Sequence, residues 1–172
     1  MSLALVSSFD KTKTAAGSWA RLDFTPTGGS LVKISCKVAD IGGKLSTLML
    51  KQPGPDAIAR AVDEVPLEAD EDITLTDIEE IDAVLAVLGA SLTGFKKGTA
   101  KLYIRDPRDD ITKVRFMLTK AAGAAFECSL KRVDGSTKFG GGDFAKNSLV
   151  CTNLSGAALV WGATADAPDT VA

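Results

Sequence analysis

Residues 72–89 read DITLTDIEEIDAVLAVLG, and within this stretch the chain passes from a strand pattern to a fully punctuated helix. Ile73 and Leu75 alternate with Thr74 and Thr76, the period of a half-buried strand. Thr76 then opens a predicted helix over about 77–88. Its hydroxyl can accept from the amide of Glu79 while the Glu79 carboxylate reaches back to the Thr76 amide, a capping box. Asp77, Glu79 and Glu80 set negative charge at the positive end of the helix dipole. Ile78, Ile81, Val84, Leu85 and Leu88 form an apolar stripe, and Gly89 supplies the left-handed residue that ends a helix. The stripe predicts that Leu85→Asp unfolds the protein.

Outward from that helix, the apolar residues recur with period two. Ala20, Leu22 and Phe24 share one face of a predicted strand over 18–26, and Val32, Ile34, Cys36 and Val38 share one face over 31–39. Further strands are predicted over 45–51, 100–104, 111–118, 125–131, 149–153 and 157–161. Many short strands with one helix give a mainly β protein. It is read as an antiparallel β-sandwich or barrel with one flanking α-helix (about 77–88) and a long loop (about 52–72). The loop follows from Gln52-Pro-Gly-Pro55, because two prolines around a glycine do not fit inside a ladder.

The 172 residues suit a single domain over 1–172 with a core of its own, an extended N-terminal arm over 1–17 and a C-terminal tail over 163–172. A net charge of −2 and a pI near 5.2 speak against a protein that grips nucleic acid by neutralising phosphates. No apolar run is long enough to span a bilayer, and the first residues lack the pattern of a secretory signal, so a cytoplasmic protein is expected.

The chain has no histidine, which removes the commonest general base and zinc ligand and the usual activator of Ser or Cys nucleophiles. Cys36, Cys128 and Cys151 are odd in number and widely spaced, and read as small buried apolar residues. No catalytic, metal-binding or cofactor-binding residue is assigned. The turn Arg105-Asp-Pro-Arg-Asp-Asp110 lacks the spacing of a calcium loop and reads as a solvated hairpin tip. Val133-Asp-Gly-Ser136 reads as a second hairpin turn. Lys96, Lys97, Lys101, Lys113, Arg115, Lys131 and Arg132 lie along strands without an interleaved aromatic platform, which describes a solvated or subunit-facing sheet.

Two groups of residues are candidates for contact surfaces. Leu3, Leu5 and Phe9 in the arm, and Pro53, Pro55, Ile58, Val62, Val65 and Leu67 in the loop, are more apolar than free segments need. The arm would be ordered most easily by a neighbouring subunit, and the loop reads either as a contact surface or as a lid folded on its own domain; together they are the candidate subunit interface. Glu68, Asp70, Glu71, Asp106, Asp109 and Asp110 are a candidate acidic surface.

The order of these parts resembles the tail tube (major tail) proteins of long-tailed bacteriophages. The resemblance is carried by the loop from Gln52, the strand Asp72-Ile-Thr-Leu-Thr, the acidic start Asp77-Ile-Glu-Glu and the finish Ala83-Val-Leu-Ala-Val-Leu-Gly89. The later series Thr112-Lys-Val-Arg-Phe, Ala125-Phe-Glu-Cys-Ser-Leu and Ser148-Leu-Val-Cys-Thr also fits. It covers roughly residues 18–162 as an order of elements and is sharpest over the strand-to-helix unit. It implies a β-sandwich-like subunit that assembles into six-membered rings, stacked as a tube in the virion tail after synthesis in the host cytoplasm. The implied partners are further copies of the chain, other tail proteins (tape measure, tail terminator, baseplate or tip) and double-stranded DNA passing through an acidic lumen without tight binding. The candidate acidic residues above would belong to such a tube surface, whereas the outward lysines depart from that pattern. Another phage assembly protein, for head decoration or tail completion, and a small-molecule-binding β-barrel are the alternative readings. An enzyme built on Asp106, Asp109, Asp110 and Lys113 ranks last.

Overall fold

In the computed structural model, the described residues are 20–90, 93–104, 116–138 and 146–163. They form β1 (Ala20–Pro26), β2 (Val32–Pro53), β3 (Ala59–Ile78), α1 (Ile81–Leu88), β4 (Phe95–Ile104), β5 (Phe116–Thr119), β6 (Phe126–Lys138), β7 (Lys146–Asn153) and β8 (Val160–Ala163). Every strand pairing is antiparallel. Because β1 pairs with both β2 and β4, the order β1-β2-β3-β7-β6-β4 closes on itself as a six-stranded barrel. The far end of β4 leaves β6 and pairs with β5, and β8 extends that pair into a short wing. The expected mainly β architecture with one helix is therefore the one observed.

The inward residues are those whose period-two pattern put them there. Leu22, Phe24, Ile34, Ile73, Leu75, Leu102, Phe126, Leu130 and Leu149 are all at most 1% exposed and fill the barrel. Val84, Val87 and Leu88 of α1 join the same cluster, so the helix closes one end of the barrel. At Gly98, where β4 crosses β1 and β6, an added Cβ would run into the Thr25 carbonyl and the Phe24 ring, so glycine permits that close approach.

The structure corrects the sequence reading at four places. The predicted loop over about 52–72 is a strand. The predicted strands over 31–39 and 45–51 merge into β2, which pairs with β3 down to Pro53↔Ala59, and only Gly54–Ile58 make the turn. Pro66 fits this ladder beside a register shift, where a bulge relaxes the demand for a donor.

The helix starts later than its capping box implied. Thr76 stays in the ladder opposite Lys37, and β3 runs on to Ile78. Glu80 is the N-cap, and no side chain caps it. The buried helix face is Val84, Val87 and Leu88, whereas Ile81 and Leu85 are 39% and 40% exposed, so Leu85 is not the core residue the stripe suggested. Gly89 does end the helix, with φ 73° and an extended ψ of −173°.

Asp134-Gly135 makes no hairpin, because β6 continues through it to Lys138 with a register shift against β7. Ala163, assigned to a tail, belongs to β8. The arm over 1–17, the turn over 105–110 and residues 164–172 lie outside the described residues.

Candidate interaction surface

Among the described residues, β2 past Val38 pairs only with β3, and β3 pairs with β7 only from Asp72 onward. Residues 42–53 and 59–71 are consequently a two-stranded ribbon standing off the barrel, about 40 Å long at 3.3 Å per residue. Its tip is a three-residue loop. The Ala57 amide donates to the Gly54 carbonyl, the Gly54 amide to the Ile58 carbonyl (both 2.9 Å), Pro55 takes the first corner, and Ala57 has φ 62°. Arg60 closes the tip with a two-pronged bond to Asp56, at 2.7 and 2.5 Å. That bond, followed by the Ile58 amide, holds the Asp56 carboxyl below its ordinary range and raises Arg60.

Cross-strand pairing puts Leu48 opposite Val65 and beside Leu50 on one face, while Leu45 and Met49 occupy the other. Ile58, Val62 and Leu67 add to this surface, and all eight side chains are between 48% and 62% exposed. An isolated two-stranded ribbon is marginal in water, and this one is apolar on both faces, with both edges unpaired among the described residues. Its charge is acidic, since residues 42–71 hold six carboxylates against Lys44, Lys51 and Arg60.

The root of the ribbon is bonded to the β7–β8 connection. Glu71 Oε2 accepts from Asn153 Nδ2 and from the Leu159 amide, each at 2.9 Å, and Thr152 Oγ1 donates to Asp72 Oδ1 at 2.6 Å. Asn153 also donates to the Ala157 carbonyl and accepts from Ser155, which gives the connection a fixed shape.

Of the residues nominated from sequence, Pro53, Pro55, Ile58, Val62, Val65 and Leu67 come together on this ribbon, exposed, with Glu68, Asp70 and the half-buried Glu71. Leu3, Leu5, Phe9, Asp106, Asp109 and Asp110 lie outside the described residues. Sequence reasoning missed Leu45, Leu48, Met49 and Leu50, which it assigned to an ordinary strand. The signal was present, because the consecutive apolar residues 48–50 cannot all face one core.

At the other end of β2, the turn after β1 and the last part of α1 enclose a recess of about 340 Å³. Pro26, Val32, Ala86 and Val87 give it an apolar wall, the Gly28-Gly29 turn forms its lip, and Lys96 is its single charged residue. Leu31 and Phe95, adjacent in sequence to lining residues, are 52% and 55% exposed. Across β4, a second recess shares Pro26 and Thr27 and is lined by Lys97, Cys128, Glu127 and Leu154, with Glu127 engaged by Lys120 at 2.9 Å. Neither Lys96 nor Lys97 makes an ion pair among the described residues.

The cysteines belong to the core. All three are free and buried. Burial pushes the Cys36 thiol up to about 12, and the Cys151 thiol is raised by its bond with Cys128 and by burial. Thiols held protonated in this way are poor nucleophiles.

No protein-family profile and no curated protein matches this chain. Among solved structures the chain is similar to one in the cryo-EM structure of an extracellular contractile injection system, the PVC sheath-tube complex in its extended state. The two share 10% sequence identity at a TM-score of 0.44, over 91% of this chain and 100% of that one.

Proposed function

We propose that this chain is a structural subunit that polymerises through its β2–β3 ribbon, and that its assembled form is the tail tube of a long-tailed bacteriophage. The observation that carries this reading is the ribbon itself: eight large apolar side chains held about half exposed on a two-stranded arm whose edges are unpaired among the described residues. A surface of that kind is stable when another polypeptide covers it, and further copies of the same chain are the partner always at hand.

On this reading the subunits form six-membered rings that stack into a conduit for the genome, in the virion tail, after assembly in the bacterial cytoplasm. The tube would meet tape-measure, terminator and baseplate or tip proteins at its ends. The small negative net charge fits a lumen that passes DNA without holding it, since gripping a phosphate backbone requires a basic excess. The chain has no catalytic role in this scheme.

Negative-stain electron microscopy of the concentrated protein, with size-exclusion chromatography and light scattering, tests it. Rings or hollow filaments are the expected outcome. A monomer at all concentrations with the ribbon intact would refute self-assembly.

A further inference from the structure

The β2–β3 ribbon and β8, the last strand of the wing, each have an edge that is unpaired among the described residues. One carboxylate ties them together. Glu71 is the residue of β3 just before its ladder with β7 begins at Asp72↔Thr152, so it stands where the ribbon leaves the barrel. Its Oε2 accepts from Asn153 Nδ2 at the end of β7 and from the amide of Leu159, the residue before β8. Across the ladder from Asp72 and Glu71, β2 supplies Gly42 and Gly43 and therefore no side chain, so the root of the ribbon is held from the β7 side.

The two bonds to Glu71 are not equivalent. Asn153 is also bonded to the Ala157 carbonyl and to Ser155, which hold its side chain in place without Glu71. The Leu159 amide lies outside the β5–β8 ladder, whose first rung on this side is Thr119↔Val160, and the Glu71 carboxylate is its acceptor. Leu159 is partly buried against the core, and β8 after it is four residues long. A partly buried donor that loses a charged acceptor is left unsatisfied, and the segment carrying it opens to find water.

We propose that Glu71 is a clasp that couples the order of the ribbon to the order of the wing. With the root of the ribbon in place, the carboxylate fixes the Leu159 amide and delivers β8 to β5. When the root loosens, β8 loosens with it. Glu71 acts here as a positioning residue, and the coupling runs both ways, since whatever orders the wing also steadies the ribbon root. The two unpaired edges of one subunit are then linked surfaces, and covering one prepares the other. The clasp lies within a single chain and stands whether or not the chain assembles.

Amide hydrogen exchange on dilute protein tests it, read over residues 159–163 with β1 as an internal measure of the intact barrel. Glu71→Ala should speed exchange of 159–163 about tenfold while β1 stays protected. Glu71→Asp keeps the charge but shortens the reach, and should do the same. Glu71→Gln keeps an acceptor oxygen at the same reach and should retain most of the protection. The ribbon is loosened separately by Leu45→Gly with Ala69→Gly, two residues that face each other across one rung near the root. That pair should speed exchange of 159–163 about threefold in the parent protein and add nothing in the Glu71→Ala background.

Unchanged exchange of 159–163 in Glu71→Ala would show that β5 alone holds β8, and would end the proposal. Equal acceleration by the glycine pair with and without Glu71 would also overturn it, by routing the coupling through the β3–β7 ladder. Should Glu71→Ala lose the protection of β1, Glu71→Asp carries the same comparison in a folded barrel.

Discussion

Ala57 holds a left-handed conformation, φ 62°, at the point where the ribbon turns back. A side chain at positive φ costs about 1–2 kcal/mol, and the tip tolerates it because Pro55 presets the preceding corner and the Asp56–Arg60 bond closes the loop. Ala57→Gly should therefore raise the protection of the Gly54 and Ala57 amides in hydrogen exchange by about tenfold. Asp77 also has a positive φ, 52°, and its carboxylate lies 2.8 Å from Lys37 Nζ. That bond lowers the Asp77 carboxyl and raises Lys37. Since the folded carboxyl is the more acidic, the unfolded chain gains the proton first as pH falls. The stabilisation is complete above the ordinary carboxylate range near pH 4 and is lost as pH drops through the lower folded value. Asp77→Asn keeps a residue that accepts positive φ, so the difference in urea midpoint between it and the parent protein should be larger at pH 7 than at pH 3. At this scale the core was legible. Leu22, Phe24, Ile34, Cys36, Ile73 and Leu75 are inward as their alternation required, whereas the left-handed residues Ala57 and Asp77 carry no sequence mark as strong as glycine.

The helix and the ribbon are the two elements where local signals and tertiary context disagreed. Thr76 and Glu79 spell a capping box, yet the β-branched Thr76 gains more as a rung opposite Lys37, and the helix yields two residues to the strand. The buried face turns accordingly from Leu85 to Val87. Val87→Asp should destabilise the fold by about 3 kcal/mol or more in chemical denaturation, because a charge would enter the closed end of the barrel. Leu85→Asp, at a residue 40% exposed, should change stability by less than about 1 kcal/mol. The ribbon was illegible for a related reason: Pro53, Pro55 and Pro66 argue against strand in a sheet interior, but a two-stranded arm has open edges and bulges that accommodate them. Its apolar character was legible, and with it the idea of a contact surface, although not its shape.

Taken whole, the molecule is a closed barrel that satisfies itself and an arm that does not. The barrel's interior is filled by its own side chains, and α1 stoppers one end. On the proposed reading the arm is covered by another copy of the chain, so the two can be separated by mutation. Ile58→Asp with Val62→Asp should leave cooperative unfolding of the barrel unchanged while abolishing rings or filaments in electron microscopy, since the new charges would be desolvated without partners. Unchanged assembly would show that the arm is not the contact. The bonds from Glu71 to Asn153 and Leu159 add a mechanical consequence. The ribbon is a lever about 40 Å long whose fulcrum is Glu71. Force applied at the tip would bear on that carboxylate and, through its bonds to Asn153 and the Leu159 amide, on the connection that leads into β8 and the wing.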